Sequence, residues 1–450
     1  MTRLQTLTDV LGDWLPLQRW FGGKGRPIHG LQIVSSSTVR PGDPSLEHVI
    51  VAVDHGEDVE RYQLLVGLRD EVPQRLEHAV IGRLADTTAY DAAHDVELTA
   101  YVLGDLAAAL DVGPLHFRTM PDADIKTGAS SRVLPAEQSN TSLVFGDDYI
   151  FKLFRKVSPG INPDLEITRA LAEAGSSHIA PPLGWMESDL DGEPTTLAMM
   201  QPFLRSATEG WAMATTSVRD LYAEEDLHAN EVGGDFAAEA MRLGAATAEV
   251  HALMRDTLPA REAAADEIAA LAKHMHERLD AALAVAPALE VHAAGLRTAF
   301  EDLARWERPV LLQRIHGDYH LGQVLRTDAG WVLLDFEGEP ARPLAERRSL
   351  TSPLRDVAGM LRSFDYAARH LLADLPGRAS LEYRAVEWAE RNRDAFCDGY
   401  AQSSGEDPRA DSVLLRAFEL DKAVYEVVYE ARNRPLWLPI PLASIERLVS

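Results

Sequence analysis

Asp318, Gln323 and Asp335 stand in the turns that follow two apolar, strand-like stretches. The first turn belongs to Gln313-Arg314-Ile315-His316-Gly317-Asp318-Tyr319-His320-Leu321-Gly322-Gln323, and the second stretch, Trp331-Val332-Leu333-Leu334, runs straight into Asp335-Phe336-Glu337. An acid, an amide and a second acid form a donor set suited to moving a phosphoryl group. One carboxylate aligns an attacking hydroxyl, and hard oxygen donors suit a Mg2+ ion that neutralises phosphate charge. Spacing adds to this. Protein-kinase catalytic loops carry His-x-Asp, an Asn soon after the Asp, and a later strand ending in Asp-Phe-Gly. Here Gln323 stands five residues after Asp318, in place of the Asn, and Asp335-Phe336-Glu337 replaces the Asp-Phe-Gly. In such a loop His316 is expected to brace the backbone by hydrogen bonds. A metal-dependent hydrolase using His316, Asp318 and His320 is the competing reading, but it needs histidines near Asp335 and the sequence has none there.

A nucleotide needs its own elements. Lys152 lies inside the apolar strand Tyr149-Ile150-Phe151-Lys152-Leu153-Phe154, where kinases place the lysine that meets ATP phosphates; Glu166, on the next helical stretch, is its expected partner. Before that strand, Glu137-Gln138-Ser139-Asn140-Thr141-Ser142 holds the position of a glycine-rich loop. It has no glycine, so phosphate contact rests on Ser139, Asn140, Thr141 and Ser142. The bland alternatives are an edge lysine and a plain hairpin turn. Met199-Met200-Gln201-Pro202-Phe203-Leu204 is the expected hinge, with Gln201 near adenine. Gln18-Arg19-Trp20-Phe21-Gly22-Gly23-Lys24-Gly25 resembles a phosphate loop but lacks the Ser or Thr after Gly-Lys and any preceding strand, so it reads as a turn.

Around these residues the chain of 450 divides into a β-containing first half and a helical second half. A helix begins at residue 4, with Leu4, Leu7, Leu11, Trp14 and Leu15 on one face, and strands are expected at 31–34, 48–53 and 62–66. Residues 91–113 read as one helix, 129–156 as strands, and 236–254, 262–306, 353–371, 381–400 and 411–432 as helices. The expected class is α+β with a bilobal, kinase-like fold. Residues 1–90 form a β-rich cap, 91–204 complete the nucleotide lobe, and 205–450 carry the catalytic turns.

The net charge of −26 argues against nucleic acid or an anionic membrane as a partner, since both demand clustered Lys and Arg. No apolar run nears the roughly 18–20 residues that span a bilayer. The N-terminus lacks the apolar core of a signal peptide, and the lone Cys397 cannot form an internal disulfide. A reducing cytoplasm is the expected compartment, with Cys397 packed in a helix.

Longer motifs carry more information. His316-Gly317-Asp318-Tyr319-His320-Leu321-Gly322-Gln323, Asp335-Phe336-Glu337-Gly338-Glu339-Pro340, and Leu344-Ala345-Glu346-Arg347-Arg348 closely resemble actinobacterial maltokinases. So do Ser352 to Tyr366, Tyr425 to Pro435, and Gln18-Arg19-Trp20-Phe21, so the resemblance covers essentially the whole chain. It implies an aminoglycoside-phosphotransferase-like fold with an added N-terminal cap. It also implies ATP- and Mg2+-dependent phosphorylation of the anomeric hydroxyl of maltose, feeding α-glucan (glycogen) synthesis from trehalose, in partnership and sometimes in complex with trehalose synthase. By that resemblance Asp318 is the catalytic base, Gln323 and Asp335 bind the metal, and Lys152 binds ATP phosphate. For the sugar, the candidates are His316, Arg355, Arg362, Asp365, Tyr366, Glu430, Arg434 and Trp437, with Glu426 and Tyr429 nearby; Asp356 could instead anchor the loop. The alternatives are a related sugar or aminoglycoside kinase, such as glucosamine kinase, and a pseudokinase scaffold.

Overall fold

The computed structural model describes residues 3–135, 139–224, 227–339, 342–373 and 379–450. By its internal packing the chain forms two compact units: residues 1–169 with 180–205, and 170–179 with 206–450.

In the first unit, helix α1 (Arg3–Trp14) precedes strands β1 (Gly30–Arg40), β2 (Ser45–Asp54), β3 (Val59–Arg69), β4 (Val80–Leu84) and β5 (Thr87–Asp91). They form an antiparallel sheet in the order β1-β2-β3-β5-β4. Its side chains alternate between two cores because successive strand residues face opposite sides. Val49, Val51, Leu64 and Val66 join Leu7, Leu11 and Trp14 in one cluster. Leu46, Ile50, Leu65 and Tyr90 join a second cluster built on the following elements. The Gln18–Gly25 segment is a structural turn: Trp20 and Phe21 are buried against Tyr62, whose hydroxyl accepts the Gly22 N–H at 3.1 Å.

The single helix expected over 91–113 is shorter. Asp91 ends β5, Asp95 caps α2 (Val96–Ala107), and β6 (Asp111–Val112) and β7 (Leu115–Thr119) turn back as a hairpin. The cap is the cause: the Asp95 carboxylate accepts the Glu97 N–H and starts the helix there. Next come β8 (Ser131–Val133), β9 (Thr141–Phe145), β10 (Tyr149–Leu153), β11 (Lys156–Val157) and α3 (Pro163–Glu173). A long hairpin, β12 (Gly184–Leu190) and β13 (Glu193–Pro202), completes a second sheet ordered β6-β7-β12-β13-β10-β9-β8.

The second unit holds β14 (Thr208–Glu209), α4 (Gly210–Ala223), α5 (Ala237–Thr257), β15 (Ala260–Glu262), α6 (Ala265–Val285) and α7 (Ala293–Ala304). Next come β16 (Leu311–Gln313), β17 (Val324–Thr327) and β18 (Gly330–Leu333); the Asp318 turn lies between β16 and β17, and the Asp335 turn follows β18. Then come α8 (Leu344–Arg347), α9 (Leu354–Arg369), α10 (Ala379–Ser404), α11 (Ser412–Asn433) and α12 (Pro439–Val449). On α5 the stripe Ala240, Leu243, Thr247, Val250 and Met254 is buried, as its helical spacing predicts. The continuous helix expected over 262–306 breaks between α6 and α7, where Pro287 opens a 3-10 turn. Cys397 is buried in α10. Among the described residues no helix is long and apolar enough to cross a membrane.

Candidate active site

Strand register brings Gln323 and Asp335 together. β17 pairs antiparallel with β18, Val324 opposite Leu333, so the residues flanking that pair must also meet. The Leu334 N–H donates to the Gln323 carbonyl at 2.9 Å, and Gln323 Nε2 lies 3.3 Å from Asp335 Oδ2. Asp335 has a φ of +65°, a left-handed conformation uncommon outside glycine. Such conformations, when retained, cluster at functional positions.

Asp318 sits on a loop pinned at several points. The backbone N–H groups of His316 and Gly317 both donate to the Asp356 carboxylate, at 2.8 and 2.9 Å, and His251 Nε2 lies 3.0 Å from it. Burial raises the Asp356 pKa most strongly, but the His251 hydrogen bond, nearby imidazole charge and the Gly317 N–H hold it below the usual carboxylate range. Asp356 is therefore the loop anchor. His316 Nε2 bonds the Leu334 carbonyl at 2.8 Å, and its ring packs against Tyr319 and Phe336. Fully buried, it joins the two turns by this bond and these ring contacts. The Leu321 N–H donates to Ser363 Oγ at 3.0 Å. The Gly322 N–H donates to His320 Nδ1 at 3.0 Å; burial holds His320 below its ordinary pKa, in keeping with a neutral acceptor nitrogen.

A cleft of about 540 Å³ opens beside Asp318. Of the sugar candidates, Tyr366, Glu430, Arg434 and Trp437 line it. Trp211, Lys422, Tyr425, Glu426 and Tyr429 also line it. Lys422 Nζ lies 3.3 Å from both Asp318 Oδ1 and Glu339 Oε1. Burial lowers the Lys422 pKa, but the charges of Asp318, Glu339 and Glu426 more than reverse this and keep the ammonium charged. Arg434 donates to both oxygens of Glu430, at 2.9 and 2.7 Å, and its guanidinium lies 4.3 Å from the Trp437 ring centre.

Four sugar candidates do not line the cleft: His316, described above, and Arg355, Arg362 and Asp365 on α9. Arg362 and Asp365 are buried, each with 1% of the side chain exposed, and pair at 2.9 Å. On α9, Gly359, Ser363 and Tyr366 share the cleft face, and Arg362 and Asp365 fall on the adjoining face, turned toward other helices. Arg355 lines a smaller cavity of about 50 Å³ with Glu339 and Arg342, which adjoins the cleft at Asp318, Tyr319 and Lys422.

On the nucleotide side, Lys152 Nζ lies 3.2 Å from Asp164 Oδ2, two residues before Glu166; both acids are on α3. Thr141 and Ser142, expected in a phosphate loop, are buried within β9, where Thr141 Oγ1 accepts the Arg155 Nε–H at 2.7 Å. The β9–β10 register, Thr141 opposite Leu153, draws both into the sheet. Ser139 and Asn140 remain ahead of the strand, and Glu137 and Gln138 lie outside the described residues. Gln201 lies one residue before the end of β13, its side-chain amide donating to the Ala180 carbonyl at 2.7 Å.

Lys422 and Tyr425 were missed by sequence reasoning, yet a signal was present. Lys422, Tyr425, Glu426, Tyr429 and Glu430 recur at three- and four-residue steps, the spacing of one helical face. Trp211, in contrast, is placed only by folding.

Residues 14–95 match the model of the maltokinase N-terminal cap domain. A glucosamine kinase of Streptacidiphilus jiangxiensis is 29% identical over 341 residues, covering 72% of this chain and 75% of its own. A glucosamine kinase of Mycolicibacterium smegmatis is 28% identical, covering 72% and 81%. The solved structure of a glucosamine kinase in complex with glucosamine, ADP and inorganic phosphate superposes with a TM-score of 0.73 at 22% identity, covering 98% of this chain and 99% of that one. The phosphotransferase enzyme family model matches residues 130–389, more than half the chain and inclusive of the Asp318 loop and the Gln323–Asp335 hairpin. This chain therefore belongs to that family: it is a phosphotransferase with the kinase-like fold and an N-terminal cap.

Proposed function

We propose that the protein is an ATP-dependent sugar kinase that phosphorylates maltose at its anomeric hydroxyl, yielding maltose 1-phosphate. The observation that carries this reading is the cleft beside Asp318, large enough for a small carbohydrate and walled by Trp211, Tyr366, Tyr425, Tyr429 and Trp437. Aromatic faces suit the apolar faces of sugar rings, and the polar groups between them suit hydroxyls.

A second reading, glucosamine as acceptor, is favoured by the names of the two relatives and the superposed structure. The charges in the cleft favour a neutral acceptor. Asp318 faces Lys422 at 3.3 Å, Glu426 faces Arg362 at 2.7 Å, and Glu430 faces Arg434 at 2.7 Å. Each acid already has a cation, whereas an ammonium group binds best to a carboxylate lacking one. The resemblance to maltokinases over the motifs and the cap adds to the case for maltose.

In this reading Asp318 aligns the anomeric hydroxyl and accepts its proton as the oxygen bonds to the γ-phosphorus of ATP. The bond from that phosphorus to the β,γ-bridging oxygen breaks, and ADP leaves. Lys152 meets the ATP phosphates and Gln201 lies near the base; Ser139 and Asn140 lie along the phosphates. Gln323 and Asp335 fit a Mg2+ ion. They supply oxygen donors, and a flip of the Gln323 amide exchanges Nε2 for Oε1 toward the shared site. Bound Mg2+ supplies charge neutralisation at the phosphates. The product would feed α-glucan synthesis, with trehalose synthase as the working partner and the cytoplasm as the compartment.

The test is steady-state phosphorylation of maltose, glucose, glucosamine and an aminoglycoside with ATP and Mg2+, the product identified by phosphorus NMR. Maltose is expected to exceed glucosamine at least about tenfold in kcat/KM, a difference of roughly 1.4 kcal/mol. Glucosamine turnover equal to or above that of maltose overturns the maltose assignment. Turnover of no sugar overturns the kinase reading itself.

A further inference from the structure

We propose that Asp365 and Arg447 are positioning residues for the acceptor: acting through Arg362, they fix the carboxylate of Glu426 in the sugar cleft. The inference rests on the cleft being the acceptor site. Glu426 is the member of that cleft whose orientation is set from behind. Its Oε2 receives two N–H groups of Arg362, at 3.0 and 2.7 Å, so Oε1 is the oxygen assigned to a sugar hydroxyl.

Arg362 is held in turn. Its Nη1 donates to Asp365 Oδ2 at 2.9 Å, and the same oxygen receives Arg447 Nη2 at 2.8 Å and Ser444 Oγ at 3.2 Å. Arg369 and Arg393 add charge contacts with Asp365 at 3.5 and 3.6 Å. Four arginines from α9, α10 and α12 thus converge on one carboxylate with 1% exposure. Helix α12 thereby reaches Glu426 on α11 through three successive ion pairs, Arg447–Asp365, Asp365–Arg362 and Arg362–Glu426. Arg362 and Asp365 are each only 1% exposed, so water cannot take the place of Asp365 if it moves.

Removing Asp365 leaves four cations around a void and risks the fold, so the test uses Arg447, of which 28% is exposed. Arg447→Gln, Glu426→Gln and the double variant are compared for acceptor KM, ATP KM, kcat and thermal unfolding. Each single variant is expected to raise the acceptor KM roughly tenfold while ATP KM stays within about twofold. The double variant is expected to be no worse than Glu426→Gln alone, and Arg447→Lys to recover most of the loss. Additive effects on acceptor KM overturn the proposal, as does an Arg447→Gln that lowers the unfolding temperature without moving acceptor KM. If the wild-type enzyme phosphorylates no sugar, the acceptor reading falls first and takes this inference with it. An active wild type with additive variants defeats this inference alone.

Discussion

At the scale of single residues, Asp318 is the acid whose loss should separate chemistry from folding. Its loop is held by Asp356, His251 and Ser363, so the carboxylate itself contributes little to the anchoring. Asp318→Asn is expected to lower kcat by about 10²–10⁴-fold and leave the unfolding temperature within about 2 °C; unchanged turnover contradicts the assigned role. Gln323 offers a complementary experiment. Gln323→Glu sets a second carboxylate against Asp335 across a 3.3 Å contact. Without divalent ions the variant is expected to unfold about 1–3 °C below wild type, and saturating Mg2+ should abolish the difference. Equal unfolding temperatures in both conditions would remove the metal assignment.

At the scale of elements, α9 and α11 decide what the catalytic-type loop meets. A Cβ placed on Gly359 would lie 2.6 Å from the Tyr319 carbonyl oxygen, so α9 rests directly on the loop backbone. Gly359→Ala must push that loop away. It is expected to reduce kcat at least about tenfold through misplacement of the neighbouring Asp318, and kinetics equal to wild type would show that the contact is slack. Within α10, burial pushes the Cys397 thiol up to about 12, so at neutral pH it is almost wholly protonated. The native protein is expected to resist thiol-specific reagents and to react with one equivalent only after unfolding; rapid reaction in the native state would show that α10 opens.

At the scale of the whole molecule, buried acids set the response to acid. Burial works hardest against ionisation of Asp365, but Arg393, Arg447, Arg362 and Arg369 outweigh it and bring its pKa from 3.8 to about 2. Burial also opposes Glu339, yet Lys422, Arg342 and Arg355 bring it from 4.5 to about 2. Both values are depressed by folding. Their stabilisation is present above the unfolded values and is lost as pH falls through the folded ones. Stability is therefore expected to hold above about pH 4.5 and to drop steeply toward pH 2, measured by denaturant unfolding across that range. A flat profile there would contradict the ion-pair networks.

How much of this was legible beforehand depended on range along the chain. Asp318, Gln323 and Asp335 were legible because a hairpin and its flanking turn are local, and strand register brings near neighbours together. The stripe of α5 was readable from periodicity for the same reason. The fate of Arg362 and Asp365 was not, because nothing in a helix repeat says which polar face meets solvent and which meets four other charges. Thr141 and Ser142 looked like loop residues until pairing with β10 carried them into the sheet. By itself the sequence determined the chemistry available, through residue types held at short separations. Only tertiary packing decided which side chains share the cleft: Trp211, Asp318, Tyr366 and Lys422 are distant in the chain, and their meeting depends on how α4, α9 and α11 bury their apolar faces.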